Sequence, residues 1–300
     1  MGTDENARAR SGKVVPKSAP GLAGSQDPDQ SRERLGAVRD SLCNPPESPL
    51  GKGAGEQCNH SGNDNSKRTP RISVIIPARN EERNLPPVLL RVFEEPVWEV
   101  IVVDGGSTDN TQQVATDLGA TVLVSELGRG RQLHTGAAAA TGDVLLFLHA
   151  DTMLPKQFQK HVIAALLDPQ VAAGAFKLHI DDDRRSFRFI ERLVQLRSRY
   201  RQMPYGDQAI FMRAKTYHRA GGFPDIPLME DYDLIRRLRR LGRIRIAPAA
   251  VKTSARRWLE LGILRATLTN QLCLVAFRLG VSPKRLASWR DRRRESNDIS

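Results

Sequence analysis

Four short apolar runs alternate with helix-like patterns between residues 72 and 151, and this alternation restricts the fold more than anything else in the chain. The runs are ISVIIP (72–77), VWEVIVVD (97–104), ATVLVSE (120–126) and GDVLLFLHAD (142–151). Their length and β-branched content read as buried strands. Between them lie a segment with Pro86 and Pro87 at a helix start, a GGSTD turn capped by Ser107 or Thr108 into a helix ending near 118, and a basic Gly-rich loop running into an Ala-rich helix. Strands and helices at such intervals form βαβ units and a parallel sheet. The loops after the strands of such a sheet share one edge, where ligands bind. Arg79, Asn80, Asp104, Asp109, Arg131 and Asp151 are therefore expected to meet there, although 72 positions separate the first from the last.

The flanks differ. Residues 1–69 are rich in Gly, Pro, Ser and Asn and read as a disordered tail, because they cannot bury enough apolar surface to offset ordering entropy. The start, MGTDEN, has neither the apolar core of a secretory signal nor a myristoylation pattern. Cys43, Cys58 and Cys273 show no metal or disulfide spacing, which points to a reducing, cytoplasmic setting. After Asp151, helices are expected at 156–167 and 187–200, and strands at 171–180 and 208–212. A Gly/Pro stretch (221–227) suits a mobile lid before a helix in MEDYDLIRRLRRLG. Strands follow at 244–246 and 251–253, then one long apolar helix over 258–279 and a basic end. Residues 234–300 hold 17 Lys and Arg against 4 Asp and Glu, a balance of +13 in a chain of net +12. That asymmetry suits an anionic partner or a solvated basic face. The 258–279 segment contains Arg265, Asn270, Gln271 and Arg278, a poor membrane span. It reads as core, a homodimer face, or an in-plane helix in peripheral membrane contact.

Four constellations carry chemistry. Asp104 and Asp151 each end a strand and together suit a divalent cation shared with phosphates, though a strand-end acid also serves as a turn cap. In Gly128-Arg129-Gly130-Arg131, arginine on a flexible backbone suits phosphate. Glu230 and Asp231 could supply a general base, or complement the helix dipole and pair with Arg236 and Arg237. Ser254 to Trp258 (SARRW) could clamp a pyrophosphate and stack an acceptor, or simply start a helix. Of the histidines, only His149 stands beside a candidate site. GxGxxG after the first strand, GxxxxGK[ST] and GxSxG are missing, which argues against dinucleotide dehydrogenases, P-loop enzymes and serine hydrolases.

In this order PARNEE, VVDGGSTDNT, the basic loop before an Ala-rich helix, FLHADT, GDQAIF, LMEDYDL and SARRW resemble glycosyltransferase family 2, the inverting GT-A enzymes. Within it they resemble the subgroup found near radical-SAM or selenium-related genes. The resemblance covers about residues 71–289. It implies an α/β fold, a three-layer α/β/α GT-A domain with a mostly parallel sheet over 70–255, followed by a C-terminal apolar helix and basic end at 256–300. It also implies transfer of a sugar from a nucleotide-diphospho-sugar, UDP being the usual carrier, to an acceptor hydroxyl, with Mg²⁺ or Mn²⁺. The acceptor is unidentified, a lipid among the candidates. By resemblance Pro77, Arg79, Asn80 and Glu81 form the first nucleotide loop, Asp104 and Asp109 the second, and Arg131 faces the nucleotide or phosphate. Asp151 holds the metal with His149 beside it, where many members carry an acid. Asp231, beside Glu230, is the base. Asp207, Arg257 and Trp258 belong to the acceptor and departing diphosphate. His134 stands where Asn is usual, and the Gln of QxxRW is missing, which argues against a processive polymer synthase. Two rivals fit less well. A sugar-nucleotide nucleotidyltransferase needs a Gly-rich loop with a catalytic Lys where PARNEER stands, and a basic nucleic-acid binder needs interleaved aromatics, here 5% of residues.

Overall fold

The computed structural model describes residues 68–295. The expected disordered tail, with Cys43 and Cys58, lies outside the described residues except for its last two positions.

The four runs become β1 (Ile72–Ala78), β2 (Glu99–Asp104), β3 (Thr121–Val124) and β4 (Val144–Phe147), joined by α1 (Leu85–Phe93), α2 (Thr111–Asp117) and α3 (Arg129–Ala139). β1 pairs in parallel with both β2 and β4, and β2 with β3. The rest of the described chain gives β5 (Thr152–Met153), α4 (Phe158–Leu166), β6 (Val171–Asp181), α5 (Arg185–Tyr200), a 3-10 turn (Gly206–Gln208), β7 (Phe211–Arg213), α6 (Ala214–Arg219), α7 (Glu230–Leu238) and β8 (Arg243–Ser254). The sheet order is β3-β2-β1-β4-β7-β6-β8-β5. β6 and β8 are parallel, whereas β7 runs against β4 and β6, and β5 against β8.

Strand alternation divides the core into the two outer layers. Ile72, Val74, Ile76, Val144 and Leu146 pack with α1 and α4 on one face. Ile75, Ile101, Val103, Leu145 and Phe147 pack with α3 and α7 on the other. This is the three-layer α/β/α arrangement expected. Helix α3 lies close on the sheet because Gly136 faces it: a Cβ there would stand 2.5 Å from Ile75 Cγ2. That close approach seats the first turn of α3 at the functional edge.

Four expectations need correction. Arg129 and Arg131 lie in the first turn of α3, not in a loop. Helix α2 begins at Thr111 rather than after Ser107 or Thr108, because Ser107 is held by Asp104. The two expected strands after α7 are one, β8, whose register against β6 shifts between Ala175 and Lys177, opposite Pro248, which has no N–H to give a ladder. The long C-terminal helix is broken at Gly262, φ +78°, into α8 (Arg256–Leu261) and α9 (Ile263–Arg278), followed by α10 (Pro283–Glu295). No helix among the described residues is long and apolar enough to cross a membrane. Cys273 is buried.

Candidate active site

Two structures meet at the strand ends. The first is a pair of interlocked loops after β1 and β2. Asn80, at φ +54°, donates its N–H to Ser107 Oγ (2.9 Å) and accepts from Thr108 N–H through Oδ1 (2.8 Å). Glu81 N–H reaches Thr111 Oγ1 (2.8 Å), and Glu82 N–H reaches Asp109 Oδ2 (3.2 Å). Asp104 is buried and accepts from the N–H groups of Gly106 and Ser107, the Ser107 hydroxyl and Gln112 Nε2. Burial opposes its ionisation, yet these donors outweigh burial and hold its carboxyl below the ordinary range. The same balance holds at Asp109, where Thr111 and the Glu82 N–H are the donors. Beneath the loops, buried Gln132 donates to the carbonyls of Ala78 and Val103 and fixes the two strand ends together.

The sign of the Asp104 shift sets an expected acid response. Its contribution to stability is complete above the ordinary value of 3.8 and is lost as pH falls through the lower folded-state value. Thermal melts through the carboxylate range should lose stability less steeply for Asp104→Asn than for the unsubstituted chain.

The second structure is a cavity of about 210 Å³ lined by His149, Asp151, Asp207, Asp231, Trp258 and Arg129, among others. Asp151 arrives in the turn before the short strand β5, which pairs with the end of β8 through Thr152 and Thr253 (2.9 Å between hydroxyls) and the Ser254 N–H on the Asp151 carbonyl (3.1 Å). That pairing brings SARRW to Asp151. Asp231 sits in the first turn of α7, after Met229 at φ +70°, a left-handed conformation that costs a non-Gly residue energy and recurs at functional sites. Asp231 Oδ2 accepts the Gly206 N–H at 2.8 Å. A Cβ on Gly206 would stand 2.9 Å from His149 Nε2 and 3.4 Å from Asp231 Oδ2, so the imidazole and the carboxylate close around this glycine. Gly206→Ala should push them apart and, if they act on one substrate, lower turnover by at least about tenfold, with a melting temperature near that of the parent. Steady-state kinetics with calorimetry checks both.

Across β1 to β7, the family model for "Glycosyl transferase family 2" matches residues 73–222. This chain belongs to glycosyl transferase family 2. Over 108 residues it is 34% identical to a 4,4'-diaponeurosporenoate glycosyltransferase of Staphylococcus haemolyticus, covering 33% of this chain and 28% of that one. It is 25% identical over 170 residues to an undecaprenyl-phosphate 4-deoxy-4-formamido-L-arabinose transferase of Yersinia enterocolitica, 51% of each. The chain thus spans about half or less of these curated relatives. In fold it is similar to glucosyl-3-phosphoglycerate synthase from Mycobacterium tuberculosis, solved with Mn²⁺, UDP and glucosyl-3-phosphoglycerate, at TM-score 0.52 and 24% identity over 71% of this chain and 81% of that one.

Within this family 2 chain most of the expected site residues fall into two groups. Pro77, Arg79, Asn80, Glu81, Asp104 and Asp109 lie on or beside the interlocked loops. His149, Asp151, Asp207, Asp231 and Trp258 share the cavity. The groups are linked where Arg256 Nη2 approaches Glu81 Oε1 at 3.5 Å. Two residues stand apart from the cavity. Arg131 lies at the surface, paired with Asp225 (2.6 Å) and Glu126. Glu230 is 1% exposed and paired with Arg129. The side chain of Arg257 lies outside the described residues.

Arg129, named from sequence only within the basic Gly128–Arg131 stretch while the resemblance pointed to Arg131, is the arginine of that stretch that lines the cavity. Residues two apart on a helix point to different sides, so only one of Arg129 and Arg131 could face it. Burial opposes its charge, but Glu230, Asp231 and Asp207 outweigh burial and hold it firmly protonated. Gly130 permits the close seating of α3 on α7 and on the loop before it, since a Cβ there would meet Glu230 Cβ at 3.2 Å and the Pro224 carbonyl at 2.5 Å. Arg290 of α10 also lines the cavity and carried no sequence signal. The 221–227 stretch, read as suited to a mobile lid, is tied down: Arg237 donates to the Ala220 carbonyl and to that of Gly222 (2.7 Å), and Tyr217 Oη accepts the Phe223 N–H (3.1 Å).

Proposed function

We propose that the chain transfers a sugar from a nucleotide-diphospho-sugar, with UDP as the carrier, to an acceptor hydroxyl, inverting the anomeric centre. The observation that supports this most is the convergence of His149, Asp151, Asp207, Asp231 and Trp258 on one cavity, beside two interlocked strand-end loops suited to a nucleotide. In this reading the loops from Pro77 to Glu81 and from Asp104 to Asp109 hold base and ribose. Asp231 takes the proton of the acceptor hydroxyl. The acceptor oxygen bonds to the anomeric carbon as the bond from that carbon to the diphosphate oxygen breaks, and UDP leaves with the electron pair. Trp258 offers a face to the acceptor, Asp207 a hydrogen-bond acceptor, and Arg256 and Arg257 positive charge near the departing diphosphate. Arg131 belongs to the surface pair in this reading, and Glu230 acts only through Arg129.

The donor set bears on the metal. Among the described residues there is no cluster of three His, Cys, Asp or Glu that could hold an ion alone. A cation shared with a diphosphate needs only one or two protein ligands, since phosphate oxygens and water complete its shell. Asp151 with His149 fits that role, for Mn²⁺ or Mg²⁺. The ion supplies charge neutralisation to the leaving group. Calorimetry should therefore show weak Mn²⁺ binding alone and at least about tenfold tighter binding once UDP is present, a coupling of ~1.4 kcal/mol. Equal Mn²⁺ affinity with and without UDP would count against this shared site. We also read the chain as one of the subgroup near radical-SAM or selenium-related genes, on the resemblance of its motifs, and as cytoplasmic, on its cysteine usage.

A further inference from the structure

A second hollow adjoins the cavity. It is a groove of about 450 Å³ between α5 and α9, with Ile190, Leu193, Val194, Leu196 and Leu274 supplying its apolar wall. Leu193 and Leu196 are 47% and 51% exposed, a cost in water that a bound apolar chain would remove. The groove does not stop at a wall. Val194, Arg197, Tyr205 and Leu274 line both the groove and the cavity that holds Asp231. At that junction the Arg197 guanidinium stacks 3.5 Å from the centre of the Tyr205 ring. Arg197, Arg201 and Arg278 are in the groove lining and no carboxylate is. The groove is thus apolar and cationic, and it opens onto the candidate base.

We infer that the acceptor is an anionic amphiphile, its hydrocarbon chain lying in the α5/α9 groove, its anionic group against the groove arginines and its hydroxyl at Asp231. This rests on the transferase reading above and names the acceptor class for the same site. Other occupants fit less well. A second copy docked symmetrically would set the groove arginines Arg197, Arg201 and Arg278 against their own counterparts, with no carboxylate in the lining to offset them. Residues 1–67 carry few aliphatic side chains and equal numbers of acids and bases, so they match neither the wall nor its charge.

The test uses the full chain and 11-(dansylamino)undecanoate, an anionic single-chain probe, below its micelle concentration. Fluorescence titration should show saturable binding that dodecyl phosphate displaces. Leu193→Asp with Leu196→Asp changes two exposed side chains, so the fold should persist. The pair should weaken probe binding at least about tenfold by removing apolar wall and adding like charge, while UDP with Mn²⁺ binds within about twofold of the parent. No saturable binding, or equal binding by parent and double variant, overturns the inference. So does a parent dimer in sedimentation that the double variant abolishes, which assigns the groove to self-association. Loss of vesicle flotation with monomeric probe binding intact overturns it too, making this a membrane-facing surface instead. If UDP with Mn²⁺ binds and the probe does not, only the acceptor class falls. If UDP does not bind the parent, the transferase reading itself falls.

Discussion

Asp231→Asn should lower the rate of sugar transfer by about 10²- to 10⁴-fold, the usual contribution of a positioned general base, while UDP binds within about twofold of the parent. The substitution keeps the shape of the side chain and an oxygen able to accept the Gly206 N–H, so the 2.8 Å contact that orients it can persist. What it removes is the capacity to take a proton. The loss should appear in kcat, with a smaller change in KM for the acceptor, because the proton moves only as the new bond forms. Calorimetry with UDP on the same preparation separates this from loss of the nucleotide site. Retained turnover would assign the base elsewhere. Glu230 is a weak substitute: it is buried and already engaged by Arg129.

That pairing gives the second large effect. Arg129→Ala leaves the Glu230 carboxylate, 2% exposed at its side chain, without its partner beneath the cavity. Removing one member of a buried pair costs about 3 kcal/mol or more, because the remaining charge has neither water nor a counter-ion. Arg129 is itself 37% exposed, which places the cost at the lower end. For a folded unit of this size that is a fall of roughly 6–12 °C in melting temperature. Arg129→Ala combined with Glu230→Gln should recover a large part of it, since the orphaned charge is then gone. Thermal melts of the single and double variants close the cycle. If the single change leaves the melting temperature unaltered, the ion pair does not anchor α3 to α7.

The fold was legible where hydrophobic periodicity was unambiguous. The run at 72–77 and the 100–104 part of the second run are buried on both faces, and their alternation feeds two separate core layers, as a covered parallel sheet requires. Asp151 was legible for the same reason: an acid after a fully buried strand has few places to go but the sheet edge. What was missed depends on tertiary partners. Whether Arg129 or Arg131 faces the cavity is decided by the seating of α3 against α7 at Gly130, and nothing in the local sequence reveals it. Ser107 suited a helix cap until Asp104 took it. Gly206 stood in the sequence only as the first residue of GDQAIF, but its missing Cβ is what lets His149 and Asp231 approach each other. Gly262 was overlooked inside an apolar run, although its φ of +78° ends one helix and starts the next. Arg290 reaches the cavity from a helix read only as a basic end.

The account stands on residues far apart in the chain gathering around one diphosphate. Crystals grown with UDP and Mn²⁺, measured at the manganese absorption edge, test this most directly. The predicted anomalous map has one strong peak within coordination distance of Asp151 and of the UDP phosphates, with the uracil and ribose on the Asn80 and Asp104 loops. A peak remote from Asp151, or UDP seated away from those loops, would contradict it.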